Sequence, residues 1–106
     1  MSPIALPIVY VAYEGTPDDR FDRRYYVERH LPLVMAAWRR YGLERVEAFF
    51  PAFTRAAAGT LVICECRFCD EAAIDAAFGS PEAAAVMADV PAFTDLAPTR
   101  SRVVRL

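Results

Sequence analysis

The chain has 106 residues, with 12 basic and 14 acidic side chains and a formal net charge of -2. Its hydrophobic fraction of 56% excludes a disordered chain, and no run reaches the ~18 apolar residues that a bilayer span needs. The mild acidity speaks against nucleic acid as a partner, because such binders carry a basic footprint. Every basic side chain is arginine, and lysine, asparagine and glutamine are absent, a bias of GC-rich coding and not a binding code. Cysteine is odd in number, with Cys64, Cys66 and Cys69 close together. On a strand, Cys64 and Cys66 point the same way, a poor geometry for a mutual disulfide. A secreted disulfide framework is therefore not expected, and with no positive n-region in Met1 to Pro7 the expected compartment is the reduced cytoplasm.

Punctuation divides residues 1–106 as a single domain. Ile4 to Tyr13 is apolar and β-rich and reads as a strand, whose ladder begins near Ile8 because Pro7 carries no N–H. Glu14 to Asp19 is a turn cluster. Arg20 to Tyr41 is helical, but its apolar stripes do not share one side. Phe21 and Tyr25 form one line; Leu31, Val34, Met35, Trp38 and Tyr41 form another on the opposite side of a regular helix. Pro32 predicts a break that repairs the mismatch, with two segments meeting at His30-Leu31-Pro32 and Leu31 leaving the α region. Gly42 fits a C-terminal cap.

Leu43 to Phe50 reads as a strand, Pro51 to Gly59 as a loop, and Thr60 to Phe68 as the clearest strand. Its alternation puts Leu61, Ile63, Glu65 and Arg67 on one face and Val62, Cys64, Cys66 and Phe68 on the other. Asp70 caps a helix through Phe78, closed by Gly79, and Ser80-Pro81-Glu82 restarts a helix to about Ala88. Pro91 to Pro98 reads as a structured loop and Thr99 to Leu106 as a last strand. The order is βαββαβ, an α+β ferredoxin-like arrangement: a four-stranded antiparallel sheet with helices on one face. A second copy covering the other face predicts a symmetric homodimer.

Four motifs occur in order: Phe21-Asp22-x-x-Tyr25-Tyr26-x-x-x-His30-x-Pro32-Leu33, Tyr41-Gly42-Leu43, Ser80-Pro81-Glu82, and Asp89-Val90-Pro91-x-Phe93-Thr94-Asp95. Together they resemble the EthD family, named after ethyl tert-butyl ether degradation, over nearly the whole chain. The resemblance implies a dimeric α+β barrel, in which two ferredoxin-like sheets pack face to face, in a small cytoplasmic protein. Related proteins of polyketide pathways act as dehydratases or cyclases without a cofactor. Two positions depart from the family pattern. Ala92 stands where an asparagine is frequent, and the Pro51 to Gly59 loop is alanine-rich where relatives carry more polar or aromatic residues.

His30 is the only histidine, and imidazole is the side chain that titrates near neutrality, so it is the candidate general base or acid. The alternative is a structural histidine closing the first helical segment; the resemblance, in which it recurs as a motif residue, brings the functional reading level with it. Tyr26, one turn earlier, shares its face and is a candidate to hold a substrate carbonyl. Asp95 is the candidate carboxylate to fix the His30 tautomer. Its alternative is a local turn, and no sequence argument brings it to His30. Tyr25, Trp38 and Phe93 are candidates for the pocket wall, although Tyr25 with Phe21, and Trp38 with Met35, also read as core. The cysteine spacing fits no four-ligand metal pattern, and a buried strand explains Cys64 and Cys66. Arg100, Arg102 and Arg105 read as charges guarding an edge strand. No phosphate loop, nucleotide motif or Ser-His-Asp order is visible, so neither a cofactor nor a metal is expected.

The expected function is cofactor-independent proton transfer on a small hydrophobic carbonyl compound: dehydration, cyclisation or isomerisation. The alternatives are a non-catalytic carrier of a hydrophobic metabolite and a cofactor-free monooxygenase, a chemistry that the same barrel also hosts.

Overall fold

The computed structural model describes residues 4–51 and 58–105. Strand β1 spans Ile4–Gly15, β2 Leu43–Phe49, β3 Gly59–Phe68 and β4 Thr99–Arg105, and they form one antiparallel sheet in the order β2-β3-β1-β4. The ladder between β1 and β3 starts at Ile8 opposite Arg67. Pro7 falls at the irregularity between Ala5 and Val9 in the pairing with β4. There the Arg102 guanidinium donates to the carbonyls of Leu6 and Ile8. Most of the expected loop Pro51 to Gly59 lies outside the described residues, as does Leu106.

The register places Val9, Val11 and Tyr13 of β1 opposite Cys66, Cys64 and Val62 of β3, so one face gathers the apolar set. Helices cover that face: α1 (Arg23–Tyr25), a π-helical turn (Tyr26–His30), α2 (Leu31–Trp38), α3 (Glu71–Phe78) and α4 (Glu82–Ala88). The extents of 39 × 36 × 18 Å leave room for one sheet and one helical layer. No described helix covers the opposite face, which carries Ile8, Tyr10, Ala12, Leu61, Ile63 and the half-exposed Phe49. The fold is the α+β, ferredoxin-like βαββαβ arrangement read from the sequence.

The first helical stretch corrects one expectation. Its backbone is not broken at His30-Leu31-Pro32: Leu31 keeps α geometry, with φ -62° and ψ -41°. The stripes are aligned instead by the π-turn, in which the Leu31 N–H bonds the carbonyl of Tyr26. A π-turn inserts one extra residue, which rotates everything downstream by about one residue's angle. Its wider bore also makes room for the Pro32 ring, so the ring does not force Leu31 out of the helix. Tyr26, His30, Leu31, Val34 and Trp38 are then all buried along one side.

Other boundaries fall where local chemistry put them. Asp70 caps α3 by accepting the Ala73 N–H at 2.8 Å. Ser80, by contrast, does not cap α4; its hydroxyl donates back to the Ala77 carbonyl at 2.6 Å. Gly42 adopts φ +108°, the left-handed region that lets the chain turn from the 3-10 helix Arg39–Tyr41 into β2.

Candidate functional site

The His30 side chain is positioned from two directions. From its own helix, Asp22 caps the start by accepting the Tyr25 N–H at 3.0 Å, and the π-turn closes below His30. From the other side comes the loop after α4, which passes through a 3-10 turn, Val90–Ala92. This loop is fastened to the helix start in three places. Phe21 and Thr94 form a β-bridge, the Asp22 N–H donates to the Phe93 carbonyl at 2.8 Å, and the Thr94 hydroxyl donates to the Arg20 carbonyl at 2.7 Å. Phe93, fully buried, then packs against the imidazole with ring centroids 4.6 Å apart. Tyr26 also stacks on the imidazole at 5.5 Å, with an interplanar angle of 21°, and its ring meets that of Phe93 at 5.0 Å, so the three rings form one cluster.

The carboxylate partner of His30 is Asp89, at the C-terminal end of α4. Its Oδ2 lies 3.0 Å from His30 Nδ1, and its Oδ1 accepts the Tyr25 hydroxyl at 2.7 Å. Asp95, the candidate read from the sequence, is elsewhere: it is exposed and pairs with Arg20 at 2.8 Å. Asp89 opens the very motif that includes Asp95, and its place at the end of a helix was the one sequence signal available for it.

Burial pushes the His30 imidazole below its ordinary value, and the hydrogen bond and charge of Asp89 offset part of that push. Burial also acts to raise Asp89, but the donors His30 and Tyr25 outweigh it and hold the carboxyl below its usual range. An ionised Asp89 accepts the Nδ1 proton of His30, which leaves Nε2 as the free, basic nitrogen. Nε2 has no hydrogen-bond partner among the described residues, and His30 forms part of a cavity wall.

That cavity, of about 420 Å³, lies between the sheet and the helices α2 and α4. This volume is within the range of small-molecule sites. Its wall is mostly apolar, with Val34, Val86 and Met87 among its residues, and it brings together Tyr13, Tyr26, His30 and Cys64 as polar groups. Burial, then the neighbouring Cys64, pushes both tyrosine hydroxyls well above their ordinary value, so both remain O–H donors. Cys64 and Cys66 lie with sulfurs 3.8 Å apart. Cys66 is the partner that supports a negative Cys64 sulfur, and the Tyr26 hydroxyl adds to this. Cys69 is exposed, so the three sulfurs do not share a site.

The remaining candidates divide. Trp38 is buried on the cavity wall and packs on Phe78 with centroids 4.6 Å apart, while its Nε1 has no hydrogen-bond partner among the described residues. Tyr25 reaches Asp89 rather than the cavity. Phe93 supports the imidazole from behind and is not on the wall. Of the residues proposed to act on a ligand, His30, Tyr26 and Trp38 share the cavity wall; Phe93 packs on His30 and Tyr26 from outside it, Tyr25 joins the cluster through Asp89, and Asp95 lies apart.

An EthD domain model matches residues 14–97. Among solved structures, an EthD-like protein from Ralstonia eutropha JMP134 superposes with a TM-score of 0.74 at 22% identity, over 92% of this chain and 91% of that one. An ethyl tert-butyl ether degradation (EthD) family protein from Bacillus halodurans C-125 superposes with a TM-score of 0.64 at 18% identity, over 92% of this chain and 97% of that one. No curated protein matches the chain. At such identities the two structures speak for the fold, and the fold agrees with the domain model, which spans most of the sequence. The chain belongs to the EthD family.

Proposed function

We propose that this protein is a cofactor-independent lyase or isomerase that moves a proton on a small hydrophobic carbonyl compound. The observation that carries this reading is the His30–Asp89 pair: Nδ1 is engaged at 3.0 Å, and the opposite nitrogen is left for a ligand in the cavity. His30 Nε2 takes the proton from carbon α to the carbonyl, and Asp89 stabilises the imidazolium that forms. The Tyr26 hydroxyl, kept protonated by burial, donates to the oxygen on which negative charge develops. The imidazolium then returns the proton to another carbon, or to a leaving hydroxyl that departs as water.

The protein acts as a cytoplasmic homodimer, with a second copy covering the sheet face that carries Tyr10, Ile63 and Phe49. The test is exchange of α-protons for deuterium, followed by NMR, across a panel of hydrophobic ketones and β-diketones. Exchange above the buffer rate, reduced on the order of 10²–10⁴-fold by His30→Gln, supports the reading. Ligand binding with no exchange for any compound points to the carrier reading, which the mostly apolar wall favours.

A further inference from the structure

Among the described residues the cavity wall carries one permanent charge. Arg100 of β4 reaches it from the exposed side, its Cζ 4.5 Å from the centre of the Phe78 ring. Asp89, the acid bonded to His30, is not on the wall, and both its oxygens are already engaged. Arg102, two residues along β4, is committed to Glu71 and to the carbonyls of Leu6 and Ile8. Beyond the backbone pairing of β4 with β1, the Arg100 guanidinium makes no ion pair or hydrogen bond among the described residues, and it rests on the Phe78 face. A cation–π seat fixes the guanidinium plane without using its N–H donors, which stay free for a planar anion. A guard against edge pairing needs only a charge pointing to water, and would have no reason to stack over a cavity residue.

We infer that the ligand of this cavity is an amphiphilic carboxylate, with its apolar body among the buried wall residues and its carboxylate on the Arg100 guanidinium at the mouth. This rests on the cavity being the substrate site and names the substrate class: hydrophobic carbonyl compounds that carry a carboxylate away from the reacting carbon. The protein's net charge of -2 opposes anions in general, so a preference for them must come from a local group.

Trp38 is the only tryptophan and stands on the wall, so its fluorescence reports occupancy directly. Decanoate and decanol, titrated into the native protein, differ only in the head group. Decanoate is expected to bind about tenfold tighter, as a charge-assisted hydrogen-bonded pair would give. Arg100→Gln should remove this preference while leaving decanol binding unchanged, Arg100→Lys should restore part of it, and added salt should weaken decanoate alone. Equal affinity for the two compounds, a preference that survives Arg100→Gln, or binding of neither overturns the inference. The proposed chemistry fails separately: carboxylate preference without proton exchange would sink the catalytic reading and leave the ligand class standing.

Discussion

His30 and Asp89 meet across the fold, Nδ1 to Oδ2 at 3.0 Å, although 59 positions separate them in the chain. Burial and the carboxylate act on the imidazole in opposite directions, and burial prevails. The imidazole should therefore titrate below its ordinary value of 6.5 in the native protein. Asp89→Asn removes the group that favours the charged form, so the midpoint should fall further. NMR of the single histidine checks both; a midpoint that rises on Asp89→Asn would contradict the assigned geometry.

In the proton-exchange assay, Asp89→Asn should lower turnover on the order of 10²–10⁴-fold, because the tautomer that frees Nε2 is no longer favoured. Tyr25→Phe removes one of two donors to Asp89 and should cost much less, shifting mainly the pH profile. Asp95→Asn should leave turnover unchanged, since Asp95 pairs with Arg20 on the surface. A loss of activity in Asp95→Asn equal to that in Asp89→Asn would return the role to the carboxylate first read from the sequence.

Stability should follow pH in a defined direction. The folded value of His30 lies below the unfolded 6.5, so the unfolded chain binds more protons in the interval between them. The stability that depends on neutral His30 is complete above about pH 6.5 and is lost as pH falls through the folded value. Asp89, also lowered, repeats the pattern below its ordinary 3.8. Thermal unfolding should show its first decline as pH falls below about 6.5. His30→Gln should flatten that decline while leaving the more acidic one.

Gly42 should tolerate no side chain. A Cβ there would lie 2.7 Å from both the Ala73 Cβ and the Cys69 Sγ, at φ +108°. Gly42→Ala should destabilise the protein by about 1–3 kcal/mol, measured by chemical denaturation. An unchanged denaturation midpoint would mean that the turn into β2 can relax.

The sequence alone determined the elements and their order, because local chemistry settles such things. Alternation in Thr60 to Phe68 assigned the buried face of β3, Asp70 and Gly79 bounded α3, and Pro7 marked where the ladder with β3 begins, although pairing with β4 already starts at Ile4. His30 and Tyr26 on one face were legible from their spacing. Tertiary structure alone decided which carboxylate His30 meets. Asp89 and Asp95 belong to one motif, and only the fastening of the Phe93-Thr94 loop to the helix start turns one inward and leaves the other on the surface. The same holds for the π-turn, since a regular helix and a widened one share a sequence pattern until packing selects the register that buries Tyr26 and His30 together. It holds too for Arg100, whose edge-strand position reads as a guard until Phe78, brought from α3, puts the guanidinium over a cavity.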